Sequence, residues 1–253
     1  MTLIIISTTE RTILITLLLL TFSWTQWHRI AIAAFAASPN IPPPPSLSLP
    51  VWSLACPLTS SIREAFPNLA ESQSTSMNIV TYAMPVNVAP PKLYAISLYK
   101  STLTRAAFLE SKVGILQLLS PLQSKLVPIL GKRSGLEEGF NKKLACTNLD
   151  SRWRSFSTCC DNLESIRRSS STVDTIISVN ATEVLPHCQA YIFLELRNTV
   201  DAGDHDVTIC QVIATGQWKS DRLVLLGNDD TAATPKDATS VLYSGQLRLE
   251  GII

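Results

Sequence analysis

Hydroxyl side chains surround one lysine at the point where a strand pattern gives way to a helix pattern. The hydroxyls belong to Ser97, Ser101, Thr102 and Thr104, and the cation is Lys100. Hydroxyls, free N–H groups at a helix N-terminus and one cation are the groups that bind a phosphate. In a second interpretation, Ser101 or Thr102 simply caps the helix and Lys100 is a solvated surface charge. The residue types alone leave both interpretations open.

The stretch before this cluster, MNIVTYAMPVNV at 77–88, has the alternation of a β-strand. Val80 and Tyr82 point to one face, whereas Thr81 and Ala83 point to the other. Both faces are largely apolar at the start, so we expect the strand to be covered on both sides. Thr81 and Tyr82 are also ordinary strand residues, and the pattern by itself does not give them a ligand.

Short strands in series, joined by turns, make up most of the remaining pattern. They are predicted at 92–98, 113–119, 190–197, 206–218 and 221–227, with short helices at 59–66, 101–111 and 122–131. This order indicates an antiparallel barrel or sandwich. No G-x-G-x-x-G follows a strand, and neither a P-loop nor G-x-S-x-G is present, which disfavours Rossmann domains, P-loop proteins and common α/β serine hydrolases.

Charge and composition exclude several classes of function. The formal net charge is +1 and charged residues make up 16% of the chain, so nothing favours binding to nucleic acid. The six cysteines form no C-x-x-C motif, and the three histidines are dispersed. We therefore expect no metal site, and we expect the cysteines to be reduced thiols.

The first 58 residues differ in character from the rest. Residues 1–37 contain a short apolar run followed by small residues, which is typical of a targeting leader, and a membrane anchor is the alternative. The leader resembles the two-part plastid leaders of some algae, so a plastid location is expected; the membrane or the secretory pathway is the alternative. A Pro-rich linker is predicted at 38–58, and the folded domain at 59–253.

Four sequence blocks, in the same order, resemble the flavin reductase family. They are SMNIVTYAMPVNVAPPKLYAISL, STLT, VGILQLLSPLQSKLVPILG and AGDHDVTICQV. The resemblance implies a mainly β fold, an antiparallel Greek-key split β-barrel with a few short helices, which binds FMN. The interval 147–180 departs from the family's pattern, because it has clustered serines and arginines without a steady period.

The resemblance also implies which residues contact FMN. The isoalloxazine ring needs an apolar slot with a few donors facing its polar edge. The implied ring contacts are Asn78, Val80, Thr81, Tyr82 and Ala83. The implied phosphate contacts are Ser97, Lys100, Ser101, Thr102 and Thr104. Gln117 takes the position of an Asn in the family and would contact the ribityl chain or the phosphate, or it is a hydrogen-bonded core amide.

Two further blocks carry implied roles near the cofactor. His205, in the GDH block, would contact the flavin or guide a nicotinamide, and its alternative role is to tie a hairpin turn with Asp204 and Asp206. Tyr243 and Gly245, in the last stretch, would line the cofactor cleft.

The function that the resemblance implies is an FMN-dependent oxidoreductase that takes hydride from NADH or NADPH. The expected partners are the flavin, the nicotinamide nucleotide and a second copy of the chain, because split barrels of this family are usually homodimers. One alternative is a flavin- or haem-binding module without turnover. Another is a membrane-anchored β-domain that binds a partner and no cofactor.

Overall fold

The computed structural model describes residues 48–70, 73–80, 82–87, 89–160, 166, 178–226 and 241–253. The predicted leader, residues 38–47 of the predicted linker and Thr81 lie outside these residues. The strands are Trp52–Pro57 (β1), Thr75–Val80 (β2), Ala83–Pro85 (β3), Leu93–Tyr99 (β4), Val113–Leu118 (β5), Arg154–Ser155 (β6), Glu183–Val184 (β7), Ala190–Ala202 (β8), His205–Lys219 (β9) and Arg222–Leu226 (β10).

The helices are short, and all but the last lie between strands in chain order. The α-helices are Ser60–Ala65 (α1), Leu103–Ser111 (α2), Lys142–Thr147 (α3), Phe156–Cys159 (α4) and Ser244–Leu249 (α5). A 3₁₀ helix covers Pro121–Leu126 and a π-helical turn covers Pro128–Lys132. None of the helices in the described ranges is long and apolar enough to cross a membrane.

One antiparallel sheet organises the molecule. Its strand order is β2-β1-β5-β8-β9-β4-β3, and β10 pairs with β9. Two register shifts interrupt the β8–β9 pairing, between Phe193 and Leu194 and between Leu196 and Asn198. Bulges of this kind bend and twist a strand, which helps the sheet to curl. The predicted mainly β, antiparallel barrel-like fold class is confirmed.

The sheet has a core on each face, which explains why its central strands are apolar at consecutive positions. Ile115 of β5 belongs to one buried cluster with Tyr191 and Phe193, whereas the next residue, Leu116, belongs to a second cluster with Phe108. Successive side chains of a strand point to opposite faces. Every residue of β5 is therefore buried.

The start of the folded unit corrects the predicted linker. β1, at 52–57, is wholly buried and pairs with both β2 and β5. The predicted domain boundary at residue 59 is therefore too late in the chain. WSLACP is a short apolar run that fits a central strand better than a spacer, although it directly follows a proline-rich stretch.

The predicted strand at 77–88 is two strands rather than one. β2 ends at Val80 and pairs with β1, and β3 starts at Ala83 and pairs with β4. β4, in the strand predicted at 92–98, pairs with β3, and the described residues show no pairing of β4 with β2. β4 also pairs along its full length with β9. A continuous alternation does not reveal a break, because the residues on both sides of the break keep the same pattern.

The atypical interval contributes to the core at its start. Trp153, Phe156, Cys159 and Cys160 are buried within one of the two core clusters. Phe156 packs on Phe193 with ring centroids 5.2 Å apart. Residues 147–160 are thus part of the folded domain, and most of the remainder of the interval lies outside the described residues.

Candidate functional site

Two cavities adjoin at the point where β2, β4 and the start of α2 meet. The first, which we call the strand cavity, has a volume of about 100 Å³ and is lined by Ile79, Val80, Tyr82, Ser97, Leu98 and His205. The second, which we call the cation cavity, has a volume of about 140 Å³ and is lined by Ser76, Ser101, Lys132, Arg133, Ser134, Gly135 and Lys142. Both are lined by Asn78, Tyr99, Thr102 and Thr104. A ligand with an apolar part and an anionic part could place the apolar part in the strand cavity and the anionic part in the cation cavity.

The first turn of α2 presents hydroxyls to both cavities. Thr102 is the N-cap, where its Oγ1 accepts from the Arg105 N–H at 3.3 Å and donates to the Tyr99 carbonyl at 2.8 Å. The Thr104 and Ser76 hydroxyls are 2.8 Å apart and buried. Because only one of these two hydroxyls donates to the other, the second proton is available to an acceptor in the cavity.

Lys142, in the first turn of α3, brings a buried ammonium into the cation cavity. The residue is 5% exposed. Its Nζ donates to the Leu130 carbonyl at 2.5 Å, the Met77 carbonyl at 3.3 Å and the Asn78 Oδ1 at 3.4 Å. No carboxylate of the described residues forms a salt bridge with it. Burial lowers the pKa of Lys142 to about 8, since the low dielectric disfavours the charged form.

Two more cations border the same cavity, one from the last residue of the π-helical turn and one from the residue that follows it. The Lys132 Nζ donates to the Ile252 carbonyl at 2.8 Å. Arg133 forms an ion pair with Glu137, and its guanidinium lies 3.7 Å from the centre of the Phe140 ring. An anion in the cation cavity would therefore meet three positive side chains, of which Lys142 is the most buried.

The structure brings most of the predicted site residues together. Those that line one or both cavities are Asn78, Val80, Tyr82, Ser97, Ser101, Thr102, Thr104 and His205. The predicted residues that line neither cavity are Ala83, Lys100, Gln117, Tyr243 and Gly245. Thr81 lies outside the described residues. The juxtaposition joins residues that are more than 100 positions apart in sequence.

Lys100 does not supply the cation that the sequence predicted. Its Nζ lies 2.7 Å from the Asp201 Oδ2 and 3.9 Å from the Asp206 Oδ1. Asp206 is buried and also binds Arg105, with its Oδ2 2.7 Å from the Arg105 Nε. Two carboxylates thus hold the Lys100 charge at the β8–β9 hairpin. Lys100 therefore forms ion pairs with two carboxylates that are about 100 residues away in sequence.

Gln117 is a core amide, the second of the two interpretations offered above. It is fully buried, its Oε1 accepts from the Leu185 N–H at 2.6 Å, and its Nε2 donates to the Ser53 Oγ at 3.2 Å. These bonds tie β5 to β1 and to the segment after β7. A role for Gln117 in contacting the ribityl chain or phosphate is not supported by this geometry.

His205 lines the strand cavity and also ties the hairpin turn. Its Nδ1 lies 2.8 Å from the Asp204 Oδ1, and its ring packs on Tyr99 with centroids 5.2 Å apart. The hydrogen bond from His205 lowers the pKa of the Asp204 carboxyl. The turn interpretation is therefore observed with Asp204, whereas contact with a flavin or a nicotinamide stays a prediction. The Nε2 of His205 is not engaged by Asp204.

Tyr243 and Gly245 lie near the start of the folded unit rather than at the cavities. Tyr243 forms an isolated bridge with Pro50 and packs on the core. A Cβ on Gly245 would lie 2.5 Å from the Ser48 Oγ, so the glycine allows close backbone approach. Ala83 packs against the same core cluster.

Sequence reasoning missed Lys132, Arg133, Ser134 and Lys142. The string GKRSG at 131–135 is rich in groups that bind anions, but in the sequence its glycine only marks the end of the helix predicted at 122–131. Nothing in the sequence marks Lys142 as buried, because lysine is almost never buried without a partner. Among the described residues, no group of three or more His, Cys, Asp or Glu side chains is placed to hold a metal.

Comparison with known proteins adds a family match. A family model described as flavin reductase like domain matches residues 70–230. This range includes every residue of both cavities. None of the curated proteins compared with the chain matches it significantly.

The chain is also similar to several solved structures, of which the first described here supports the fold. The chain is similar to an FMN-binding protein from Thermus thermophilus, with 15% identity, a TM-score of 0.51, and 82% of this chain and 87% of that chain covered. The NADH:FAD oxidoreductase SgcE6 of Streptomyces globisporus has 11% identity and a TM-score of 0.45, with 72% and 82% covered. The styrene monooxygenase flavin reductase of Pseudomonas putida S12 has 13% identity and a TM-score of 0.44, with 72% and 87% covered.

Proposed function

The chain belongs to the flavin reductase like domain family, and on this premise we propose that it binds FMN, or the FMN part of a larger flavin, and reduces it with a nicotinamide nucleotide. The observation that carries the proposal is the buried Lys142 ammonium, which faces the cation cavity without a carboxylate among the described residues. Burying an unpaired charge is costly. A phosphate would offset this cost.

The phosphate subsite consists of groups with matching chemistry. Thr104, Ser76 and Ser101 supply hydroxyls, the start of α2 supplies backbone N–H groups, and Lys142 supplies the charge. Hydrogen bonds between ionised groups are about twice as strong as neutral ones. In the proposed role, Lys132 and Arg133 attract the anion from the more exposed side of the cavity.

The strand cavity suits one face of the flavin ring. Ile79, Val80 and Leu98 give it apolar walls, and Asn78 and Ser97 give it polar groups. Its volume of about 100 Å³ is below the roughly 300–1,000 Å³ of typical cofactor sites. One chain therefore supplies part of the enclosure.

A second copy of the chain is the proposed source of the rest. Tyr82, Met84 and Val86 are 59%, 58% and 47% exposed and follow one face at the sheet edge formed by β3. Large apolar side chains exposed together mark an interaction surface. In the proposed homodimer this surface is buried beside the strand cavity, and light scattering coupled to size-exclusion chromatography tests it.

The residues at the site bind and orient, and the bound flavin supplies the redox chemistry by accepting a hydride from the nicotinamide. Hydride transfer needs no general base from the protein. The proposed role of His205 is to hold the nicotinamide amide with its Nε2 at the open end of the strand cavity. Tyr99, which packs on His205, keeps the ring in place.

The test uses the full chain and two readouts. Flavin retention is measured from the absorbance spectrum and from calorimetric titration with FMN. Reduction is measured anaerobically by the loss of flavin absorbance on addition of NADH or NADPH. Bleaching by either nucleotide supports the oxidoreductase; a flavin that is bound but never bleached supports the module without turnover. A chain that binds no flavin contradicts the proposal.

A further inference from the structure

A third cavity is larger than the other two and has no role in the proposed function. It lies between residues 65–73, at and after the end of α1, and residues 135–141, which precede α3. We call it the loop cavity. Its volume of about 440 Å³ is within the roughly 300–1,000 Å³ of small-molecule sites. The cavity is therefore large enough to hold a ligand of its own.

The walls of the loop cavity are largely apolar and partly aromatic. They include Phe66, Leu69, Leu136 and Phe140. The face of an aromatic ring attracts a cation, and the Arg133 guanidinium lies 3.7 Å from the centre of the Phe140 ring. These walls suit a ligand with an apolar body, and the aromatic rings are compatible with a positive charge beside it.

Gln73 gives the loop cavity a hydrogen-bond acceptor that lacks a donor. The residue lines the cavity and is 8% exposed. Its Nε2 donates to the Thr75 carbonyl at 3.3 Å, whereas its Oε1 accepts from none of the described residues. Buried polar groups are usually hydrogen-bonded, and an unpaired one is costly. A ligand that brings an N–H donor to this oxygen would remove that cost.

The charges around the loop cavity favour a cation over an anion. Of the described residues that line it, none is a lysine or an arginine, whereas Glu137 and Glu138 are acidic. Glu137 is paired with Arg133, but Glu138 forms no salt bridge with any described residue. Arg63 donates to two backbone carbonyls of residues 70–73 and does not line the cavity. The unpaired charge on the wall is thus negative.

We propose that the loop cavity binds a primary organic ammonium with an aromatic body. The aromatic body packs against Phe66, Leu136 and Phe140, and the ammonium donates to the Gln73 Oε1 and is attracted by the Glu138 carboxylate. An anion would be repelled by Glu138, and a ligand without an N–H donor would leave the Gln73 oxygen unpaired. This site does not depend on flavin binding, because none of these side chains belongs to the proposed flavin site.

The experiment compares three probes on the full-length protein, with dissociation constants measured by ligand-observed NMR. The probes are 2-phenylethylammonium, benzyltrimethylammonium, which is charged but has no N–H, and 3-phenylpropionate, which has the opposite charge. We expect 2-phenylethylammonium to bind about fivefold more tightly than the quaternary probe and at least about tenfold more tightly than the anion. Gln73→Met should remove the difference between the two cations.

Two matched pairs of variants locate the binding site. Leu136 is 39% exposed and lines the cavity, whereas Leu144 is 61% exposed and lines none of the three cavities. Leu136→Lys should weaken binding of 2-phenylethylammonium about tenfold, and Leu144→Lys should leave it unchanged. Glu138→Gln should weaken it about threefold. The control is Glu110→Gln, at an exposed residue of α2 that lines none of the cavities.

Failure of this inference is distinguishable from failure of the proposed function, because the variants are also titrated with FMN. Leu136→Lys and Glu138→Gln should keep the FMN affinity of the wild type, which shows that they fold. A chain that binds FMN but does not prefer 2-phenylethylammonium to 3-phenylpropionate overturns this inference alone, as do equal losses in Leu136→Lys and Leu144→Lys. A chain that binds the three probes in the expected order but no flavin overturns only the proposed function.

Discussion

Two lysines lie near the start of α2, and they differ in the groups that surround the charge. Lys100 lies just before α2 in sequence, whereas Lys142 comes from α3 and lines the same cavity as the first residues of α2. At the β4–α2 junction, Lys100 is held by Asp201 and Asp206 and lines neither cavity of the proposed flavin site. In α3, Lys142 is 5% exposed and bonds only to carbonyl and amide oxygens among the described residues. The difference teaches that a lysine near a helix N-terminus can have its charge compensated by carboxylates that are distant in sequence. We propose Lys142 as the phosphate ligand because its charge faces a cavity and forms no salt bridge with a carboxylate of the described residues.

The largest effect is expected when the Lys142 charge is removed, which tests the comparison directly. Lys142→Met should weaken FMN binding about 10- to 100-fold, because a hydrogen bond between charged groups contributes roughly 1.5–3 kcal/mol. Calorimetric titration of the full chain with FMN and with riboflavin measures the loss. Riboflavin, which lacks the phosphate, should bind both proteins equally.

The matched control for Lys142→Met is the same substitution at the neighbouring Lys143. Lys143→Met removes the ion pair between Lys143 and Glu183, whose atoms lie 2.6 Å apart away from the cavities. It should leave FMN affinity within twofold of the wild type. Equal losses in the two variants would show that Lys142 acts through stability and not through the phosphate.

A somewhat smaller effect is expected when the affinity for FMN is measured over a range of pH values. The pKa of Lys142 is lowered to about 8 in the flavin-free protein, so the ammonium is charged below this pH and neutral above it. FMN affinity should therefore fall from pH 8 to 9, by up to about tenfold per unit. In Lys142→Met this fall should be absent; an identical pH profile for the variant would contradict the assignment.

The same pKa shift predicts how the stability of the flavin-free protein depends on pH. The unfolded chain keeps the Lys142 proton up to its ordinary pKa of 10.5, and the folded chain loses it near pH 8. The unfolded state thus binds more protons between these values, and the free energy of unfolding rises with pH there, by at most about 1.4 kcal/mol per unit. Urea titrations of wild type and Lys142→Met isolate this contribution by difference.

Thr104→Val should have a moderate effect. The valine keeps the shape of the side chain but removes the buried bond between the Thr104 and Ser76 hydroxyls. We expect a loss of about 1 kcal/mol in the free energy of unfolding and a several-fold weaker affinity for FMN, but not for riboflavin. Equal weakening for both ligands would mean that the hydroxyl supports the fold rather than the phosphate.

The smallest effect is expected at the other lysine. Lys100→Met should leave FMN affinity within twofold, because Asp201 and Asp206 already engage its charge and exposed ion pairs contribute little. Calorimetry under the conditions used for Lys142→Met provides the measurement. A loss as large as that of Lys142→Met would reverse the comparison between the two regions.

Much of the fold could be predicted from local pattern. α2 begins within two residues of its predicted start, and β5, β9 and β10 lie within one residue of their predicted ranges at each end. β8 starts where predicted and continues five residues beyond its predicted end. Strong alternation and a clear switch to helical period carry this information in the sequence itself. β1 was not predicted, because a buried strand next to a proline-rich stretch shows neither alternation nor a turn signal.

The candidate site was predictable in part for a related reason. Ser101, Thr102 and Thr104 are neighbours in sequence, and the start of a helix fixes where their side chains point. Gln117 was not predictable, because its partners Ser53 and Leu185 are more than 60 residues away. The sequence does not distinguish a glutamine whose amide is hydrogen-bonded in the core from one whose amide binds a ligand.

The sequence by itself determined the family, the mainly β fold and the hydroxyl-lined start of α2, because each is encoded in contiguous residues whose period and chemistry can be read directly. Only the tertiary structure decided which cation faces the cavity. That choice depends on the distance from Lys142 to Asn78, 64 residues away, and on the carboxylates that the β8–β9 hairpin brings to Lys100. Charge, burial and ion pairing are properties of neighbours in space, and folding alone sets those neighbours.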